Sequence, residues 1–599
     1  MTQIDATAAF FAARDQLLAC AGDPARARAE FQWPDVGPEF NWAHDVFDVI
    51  AQDNDTVALW IAEEDGSEQK LTFAELKRRS DQVANWLRAT GARKGDVAML
   101  MLGNRVELWE IMLAAMKLGI VILPTSVVLG AAELEDRVAR GRVNWVFAAP
   151  EDALKFSEVP GSYRGIGVGL GLPDASKEQR AALWEWEHYE ESRAAGAGRI
   201  PKATLSGDPA LIYFTSGTTS LPKIVEHSHT SYPLGHLTTM SWLGVRPGDT
   251  HLVISAPGWG KHAWSSFFGP WHVGATIFVA NYGRFDAEFL VSELDRAGVN
   301  TFCAPPTVWR MLIQHQLATK PRALREVVSA GEPLNPEVIA RIHEWWGLEI
   351  RDGYGQTETT ALIANMPGDP IVPGAMGKPL PGVDAVLIDP VTGAEAVEGE
   401  NCLRIVARDP DPTVSEVDAS GAAAATRIAP INLMTEYLGN PEATARATAN
   451  GLFHTGDVAR RDEDGVLTFV GRTDDVFKSS DYKVSPFEVE SALLEHAAVA
   501  EAAVVGAPDE TKLNVTKAYV ALAAGVPATE ETAREILAHA RVALPPYMRV
   551  RRVQFADLPK TTSGKIRRVE LRQAEETSFA AGERTAGEWR EEDFPGLKG

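Results

Sequence analysis

Tyr213-Phe214-Thr215-Ser216-Gly217-Thr218-Thr219-Ser220-Leu221-Pro222-Lys223 is the stretch that decides the fold. The apolar run Leu211-Ile212-Tyr213-Phe214 predicts a buried strand, and it empties directly into hydroxyls and a glycine. Backbone N–H and side-chain O–H groups at such a strand end can wrap phosphate oxygens, and Lys223 adds a positive charge. The loop is not of the Walker type, because GxxxxGK followed by Ser or Thr occurs neither here nor elsewhere in the chain.

The surroundings of this strand repeat its logic. From Val57 onward, the apolar runs VALWIA, VAMLML and VNWVFAA alternate with amphipathic stretches such as FAELKRRSDQVANWLRAT. That alternation predicts strands and crossover helices in α/β layers, and it resumes at HLVISA, ATIFVA and NTFCAP. One large α/β body is expected to about residue 470. Residues 407–427, rich in Asp, Pro, Ala and Ser, show neither period and predict a surface loop.

After Gly471-Arg472-Thr473-Asp474 the pattern restarts as a small α+β unit. FEVESALLEH predicts a helix, VAEAAVVGAP and KAYVALAAG strands, EETAREILAHARVAL a second helix and RRVQFADLP a third strand. The polar residues from about Thr577 predict a loosely held tail.

Composition narrows the function classes. The chain has 599 residues, 45% of them hydrophobic, enough for more than one core. A net charge of -24 without a Lys/Arg cluster removes any electrostatic basis for nucleic-acid or anionic-membrane binding. Cys20, Cys303 and Cys402 lack CxxC spacing, so neither a disulfide framework nor a zinc knuckle is indicated and a reducing, cytoplasmic setting is expected. No signal peptide and no run of about 18 apolar residues is read, so no membrane-spanning segment is expected.

Further motifs follow the loop in a fixed order: Ser329-Ala330-Gly331-Glu332-Pro333, Asp352-Gly353-Tyr354-Gly355-Gln356-Thr357-Glu358, His454-Thr455-Gly456-Asp457, Gly471-Arg472-Thr473-Asp474 and Pro559-Lys560-Thr561-Thr562-Ser563-Gly564-Lys565. Together they resemble the adenylate-forming superfamily of acyl-CoA synthetases, luciferases and peptide-synthetase adenylation domains, over about residues 40–575 and closest to medium-chain acyl-CoA synthetases. The resemblance implies an α/β fold with a large multi-layer N-terminal body, 1–473, and a small mobile α+β C-terminal domain, 474–599. It also implies an AMP-forming acid–thiol ligase that uses ATP, Mg²⁺ and CoA.

By that resemblance Thr215, Ser216, Gly217, Thr218, Thr219, Ser220 and Lys223 hold the ATP phosphates. Gly331, Glu332, Pro333 and Tyr354 form the adenine strip, with Asp352 near the amino edge, and Gly353, Gly355 and Gln356 belong to the same ATP/AMP site. Asp457 accepts from both ribose hydroxyls and Arg472 reinforces it. Glu358, beside Thr357, holds Mg²⁺, a hard cation that takes oxygen ligands. Lys565 bridges the attacking carboxylate and the α-phosphate, where a flexible point charge stabilises the transition state. Asp474 is the hinge.

Four positions depart from the pattern. Ser220 stands where glycine is usual, which brings a side chain to the phosphates. In Ser479-Ser480-Asp481-Tyr482-Lys483, Asp481 replaces the glycine of the CoA tunnel and Lys483 replaces an arginine, keeping charge without the bidentate fork. Thr360 replaces a glycine near the acyl pocket. The pocket wall is expected from Trp259, Gly260, Lys261 and His262, with Trp259 packing an apolar acid and Lys261 or His262 meeting a polar substituent.

The expected reaction activates a medium-sized or bulky hydrophobic carboxylic acid as acyl-AMP and passes it to CoA. Three alternatives stay open: an enzyme that performs one half-reaction and exchanges acyl-AMP with a partner ligase, transfer to a carrier-protein thiol, and a non-catalytic sensor of the same fold. Oligomeric state is open, a homodimer included. His227 and His229 in Glu226-His227-Ser228-His229 alternate along a strand and are not expected to bind metal. Gly165-Ile166-Gly167-Val168-Gly169-Leu170-Gly171 does not fit GxGxxG and is expected to be a flexible loop.

Overall fold

The computed structural model describes residues 4–172, 175–215, 222–317, 319–407, 427–428, 430–479, 482–509, 513–560, 565–582, 584–585 and 587–597. Two compact units emerge, one from Met1–Thr215, Pro222–Ala385 and Leu403–Phe453, the other including Val386–Cys402 and His454–Gly599.

In the first unit the described residues form a nine-stranded and an eight-stranded sheet, with helices between the strands, so the fold is α/β. The eight-stranded sheet shows why its strands read as unbroken apolar runs. Val97–Met101 pairs in parallel with both Val121–Pro124 and Trp145–Ala148, and all five residues of Val97–Met101 are buried. The helix Val106–Leu118 makes the first crossover. Pro209–Thr215 adds in parallel beside Val121–Pro124 and then pairs antiparallel with Lys223–Ser228. The 216–221 connection therefore leaves the carboxyl end of a parallel strand, where α/β sheets present ligand-binding loops.

Local signals set the helices. Thr72 caps Phe73–Thr90 through a reciprocal capping box with Glu75, and Gly91, at φ 105°, ends it. Its buried Arg79 forms an ion pair with Glu110 at 3.0 Å, and Tyr189 Oη donates to Glu110 at 2.6 Å. The helix Ser231–Leu243 is buried along nearly its whole length and packs against the strand Thr360–Ala364.

In the nine-stranded sheet Thr301–Ala304, Glu326–Ala330 and Arg351–Gln356 run parallel, and Arg351–Gln356 turns back into antiparallel Thr360–Ala364. Ser329 lies opposite Asp352 and Ala330 opposite Gly353, so two motifs leave adjacent strand ends. Gly353 is needed for packing, since a Cβ there would lie 2.4 Å from the Trp242 ring.

The first half of the glycine-rich stretch is a strand, not a flexible loop: Arg164–Gly167 pairs in parallel with Trp145–Ala148. The glycines make room, because a Cβ on Gly165 would sit 2.3 Å from Trp186 and one on Gly167 2.8 Å from Leu170. Of the expected loop at 407–427, residues 408–426 lie outside the described residues; its flanks pair, Val406 with Ile428.

In the second unit Val499–Asp509, Leu513–Leu522, Arg552–Phe555 and Glu588–Arg590 form a sheet in that order, with the helices Pro486–Leu494, Glu530–Ala543 and Arg568–Ala580. The expected loose tail is a correction. Glu588–Arg590 pairs with Arg552–Phe555, and Phe594 enters the core around Val504 and Ile536. The cause is ionic: Lys517, fully buried, donates to Glu575 at 2.5 Å and Glu588 at 2.6 Å, and Tyr519 also donates to Glu575. Charges in the tail therefore face inward to a partner. Lys517→Ala would remove the buried cation that Glu575 and Glu588 share, leaving Glu588 with Arg590 at 2.6 Å, and is expected to destabilise this unit by about 3 kcal/mol. Denaturant unfolding followed by Trp589 exposure checks this.

Candidate active site

Of the residues expected to hold phosphate, Ser216, Gly217, Thr218, Thr219 and Ser220 lie outside the described residues, whereas Thr215 and Lys223 on either side are described. Thr215 Oγ1 donates to Lys223 O at 3.5 Å. Lys223 Nζ stands 4.5 Å from the centre of the Tyr437 ring, within cation–π range. Tyr437 Oη in turn donates to Glu358 Oε1 at 2.9 Å. A cation at the end of the loop and a carboxylate suited to a hard metal are thus brought together by one tyrosine. Tyr437 reaches them because Glu436–Tyr437 pairs with Lys223–Ser228, and Met434 N–H holds Glu358 O at 2.7 Å.

Beside Glu358, the Thr357 carbonyl accepts from His227 Nε2 at 2.7 Å. A carbonyl only accepts, so Nε2 carries the proton, and Nδ1 accepts from Ser231 Oγ at 3.0 Å. Burial lowers the pKa of His227 to about 4, and that of His229 likewise to about 4. Both rings are neutral at pH 7, and His227 is a positioning group for the Thr357 backbone.

Around the expected acyl wall, four groups converge. Trp264 Nε1 donates to Tyr232 Oη at 2.7 Å, Tyr232 Oη lies 3.5 Å from Gly260 O, and a Cβ on Gly260 would be 3.1 Å from Tyr232 Oη and 3.7 Å from Thr357 Oγ1. Trp259 is half-buried and precedes the short helix Gly260–Ala263. His262 turns into the core, against Trp109 and 3.3 Å from Asn104 Oδ1, and burial holds its pKa down to about 3. Lys261 Nζ donates to the Ala330 carbonyl at 3.0 Å. Lys261 therefore ties the segment expected to form the acyl wall to the one expected to form the adenine strip.

Thr360 is fully buried and adopts φ 62°, a left-handed conformation costly for a β-branched residue. Its Oγ1 donates to Gly235 O at 3.3 Å, and a Cβ on Gly235 would lie 2.9 Å from the threonine side chain. Gly355 faces the same turn, where a Cβ would come within 2.1 Å of Thr360 O.

On the strip itself, Gly331 has φ 109° with open space beside it, Glu332 and Pro333 are half-buried, and Gln356 N–H donates to Thr359 Oγ1 at 3.3 Å. Tyr354 is half-buried. Asp352 accepts from the N–H groups of Gly353, at 2.9 Å, and Leu334, yet burial pushes its pKa up to about 8.

In the second unit Asp457 and Arg472 lie opposite each other on paired strands, and Arg472 Nη1 donates to Asp457 Oδ1 at 3.2 Å. Asp457 is buried; Arg472 Nε also lies 3.5 Å from Asp474. Gly456, at φ 71°, lets the guanidinium approach. Residue 475, next to the expected hinge, is held by Arg572. Ser480 and Asp481 lie outside the described residues, as does the side chain of Lys483; Ser479 and Lys483 are on the strands of a short hairpin. Lys565 is exposed, next to an antiparallel bridge between Lys560 and Ile566.

Sequence reasoning missed Tyr437, Tyr232, Gly235 and the partner of Lys261. Only the position of Tyr232, five residues after His227, offered a local signal; the others depend on contacts between distant segments.

The profile of the AMP-binding enzyme family matches residues 46–406, and that of the AMP-binding enzyme C-terminal domain residues 488–565. The chain belongs to the AMP-binding enzyme family. Within it the likeness runs to acyl-CoA synthetases. This AMP-binding enzyme is 42% identical to 4-hydroxybutyrate–CoA ligase 1 of Metallosphaera sedula over 550 residues, 91% of this chain and 92% of that one. It is 36% identical to the mitochondrial acyl-coenzyme A synthetase ACSM5 of Mus musculus, over 90% and 91% of the two chains. Among solved structures, the anthranilate CoA ligase AuaEII in complex with anthranoyl-AMP aligns with a TM-score of 0.75 at 27% identity, over 90% of this chain and 98% of that one. The acyl-CoA synthetase of Brucella canis aligns with a TM-score of 0.63 at 30% identity, over 94% and 99%. Among the described residues no helix of this AMP-binding enzyme is long and apolar enough to cross a membrane.

Proposed function

We propose that this chain is an AMP-forming acid–CoA ligase that activates a medium-sized or bulky hydrophobic carboxylic acid. The observation that supports the reading is the Lys223–Tyr437–Glu358 arrangement, which holds a cation and an oriented carboxylate close together, the pair a triphosphate and its counter-ion call for. The names of the relatives, a 4-hydroxybutyrate–CoA ligase and an acyl-coenzyme A synthetase, support a carboxylic acid and CoA as the substrates.

In the first step an oxygen of the substrate carboxylate attacks the α-phosphorus of ATP, the bond to the β-phosphate oxygen breaks, and pyrophosphate leaves. Lys565 neutralises the charge gathering on the α-phosphate, Asp457 and Arg472 hold the ribose, and the strip from Gly331 to Pro333 with Tyr354 holds adenine. Glu358 fits Mg²⁺, because its carboxylate is a half-buried hard donor with one oxygen already oriented by Tyr437. When bound, Mg²⁺ screens the negative charge of the phosphates.

In the second step the CoA thiolate attacks the acyl carbonyl carbon and AMP departs with the former carboxylate oxygen. We assign to Asp474 the hinge between the two half-reactions, and to Ser479, Ser480, Asp481 and Lys483 the binding of CoA.

The half-reactions test the reading separately. Acid-dependent exchange of labelled pyrophosphate into ATP and CoA-dependent consumption of synthetic acyl-AMP should both proceed. Exchange without thioester formation would reassign the chain as an adenylating partner, thioester formation alone would make it a receiver of acyl-AMP, and carrier-protein loading without CoA turnover would replace CoA as acceptor.

Thr360 makes a further prediction. Its side chain fills space against Gly235 at a strained φ, so Thr360→Gly is expected to raise kcat/KM for acids one or two methylenes longer by about tenfold, the scale set by methylene packing in a pocket. Chain-length profiles of the two proteins check it.

A further inference from the structure

Three donors of different hardness meet in the second unit, although nothing in their spacing announces it: Cys402 and His454 stand 52 residues apart. Glu400 and Cys402 share one face of the strand Glu398–Arg404, and His454 reaches them from the neighbouring strand Leu452–Arg461. His454 Nδ1 lies 2.9 Å from Glu400 Oε2 and 3.5 Å from Cys402 Sγ, and the three donor atoms all fall within 4.8 Å of one another. Around a four-coordinate zinc ion, with bonds of about 2.3 Å to sulfur and 2.0–2.2 Å to nitrogen and oxygen, donor atoms stand roughly 3.3–3.6 Å apart. The preformed spacing is close to that, so small side-chain shifts would complete it.

The surroundings suit a metal as well. Gly456 N–H donates to Glu400 Oε1 at 2.9 Å and so aims Oε2 at His454, the kind of outer support that orients a ligating carboxylate. Cys402 is fully buried, while the His454 and Glu400 side chains keep 23% and 16% exposure, leaving a path for an ion and a water as fourth ligand. Nitrogen, thiolate and a single carboxylate oxygen select zinc-like ions over Mg²⁺.

We propose that Glu400, Cys402 and His454 form a site for Zn²⁺ or a similar borderline-soft divalent ion, distinct from the Mg²⁺ carboxylate, and that its occupancy inhibits adenylation. Binding replaces the thiol proton, which passes to water, and changes no oxidation state. The route to activity is short. Glu400 Oε1 holds the N–H of Gly456, the residue before Asp457, so an ion that pulls on Oε2 shifts the carboxylate that positions the turn into Asp457. This second clause rests on the ribose-binding role of Asp457 proposed above; the metal site itself does not.

Cobalt titration of the full-length protein tests the site without reference to activity. One equivalent of Co²⁺ should produce a thiolate-to-cobalt charge-transfer band that Cys402→Ser lacks. Zinc-edge X-ray absorption of the unmutated protein should show one sulfur among nitrogen and oxygen neighbours, which keeps the test valid if the variant folds poorly. With Mg²⁺ in large excess, zinc should suppress pyrophosphate exchange at concentrations at least about tenfold lower than those needed for Cys402→Ser, whose zinc-free exchange is unchanged. No thiolate band, a band undiminished in Cys402→Ser, or a sulfur-free zinc shell overturns the site. Equal zinc sensitivity of the two proteins overturns the inhibition. Absence of exchange with every acid tested would instead count against the proposed function, and the spectra would still decide the site.

Discussion

Replacing Lys565 with alanine is expected to slow acid-dependent pyrophosphate exchange by roughly 10²–10³-fold, the scale of removing one donor aimed at developing charge. The loss should fall on kcat with little change in KM for ATP or acid, because the interaction strengthens only as the α-phosphate gains charge. Thioester formation from synthetic acyl-AMP should persist near its original rate. That split separates a chemical role from a folding defect, since an unfolded domain would lose both steps. Lys565 is exposed next to a short bridge, so its removal leaves no cavity. An unchanged exchange rate would remove Lys565 from the first step.

Asp457→Ala is the second large effect. The carboxylate is buried, faces Arg472 across a strand pair, and would accept from two ribose hydroxyls. Hydrogen bonds to a charged group are worth about 1.5–3 kcal/mol each, so KM for ATP should rise by about 10²-fold or more. The readout specific to this role is sugar discrimination: the unmutated protein should prefer ATP over 2′-deoxy-ATP, and the variant should lose that preference. Arg472, whose side chain is 41% exposed, should matter less, since an exposed pair contributes about 0–1 kcal/mol. Retained sugar discrimination in Asp457→Ala would contradict the assignment.

Much of the fold was legible because local chemistry and tertiary demand coincide. The helix Phe73–Thr90 carries its own capping box and terminal glycine, and the central strands are apolar on both faces because both faces are covered. The motif residues were legible as types of chemistry at ordered positions. Their partners were not. Tyr437 joins Lys223 and Glu358 across more than seventy residues, and only the pairing of Glu436–Tyr437 with Lys223–Ser228 brings it there.

Two other misreadings have the same root. The tail after Thr577 reads as solvated because its charges look free, whereas its Glu588, together with Glu575 just before the tail, neutralises a lysine buried on a strand some sixty to seventy residues earlier. Gly165 and Gly167 read as flexibility, whereas they clear space for Trp186 and Leu170. Lys261, read together with His262 as a group to meet a polar substituent of the acid, also has a partner the sequence does not show, the carbonyl before Gly331. In each case a one-dimensional pattern reports what a residue can do, and the partner decides which of those it does.

The most direct test of acid activation through an adenylate is the fate of oxygen. With a substrate acid labelled in both carboxylate oxygens by ¹⁸O, turnover with ATP and CoA should yield AMP carrying one ¹⁸O and an acyl-CoA retaining the other, read by mass spectrometry. Unlabelled AMP, or label recovered in inorganic phosphate with ADP as the product, would contradict the account.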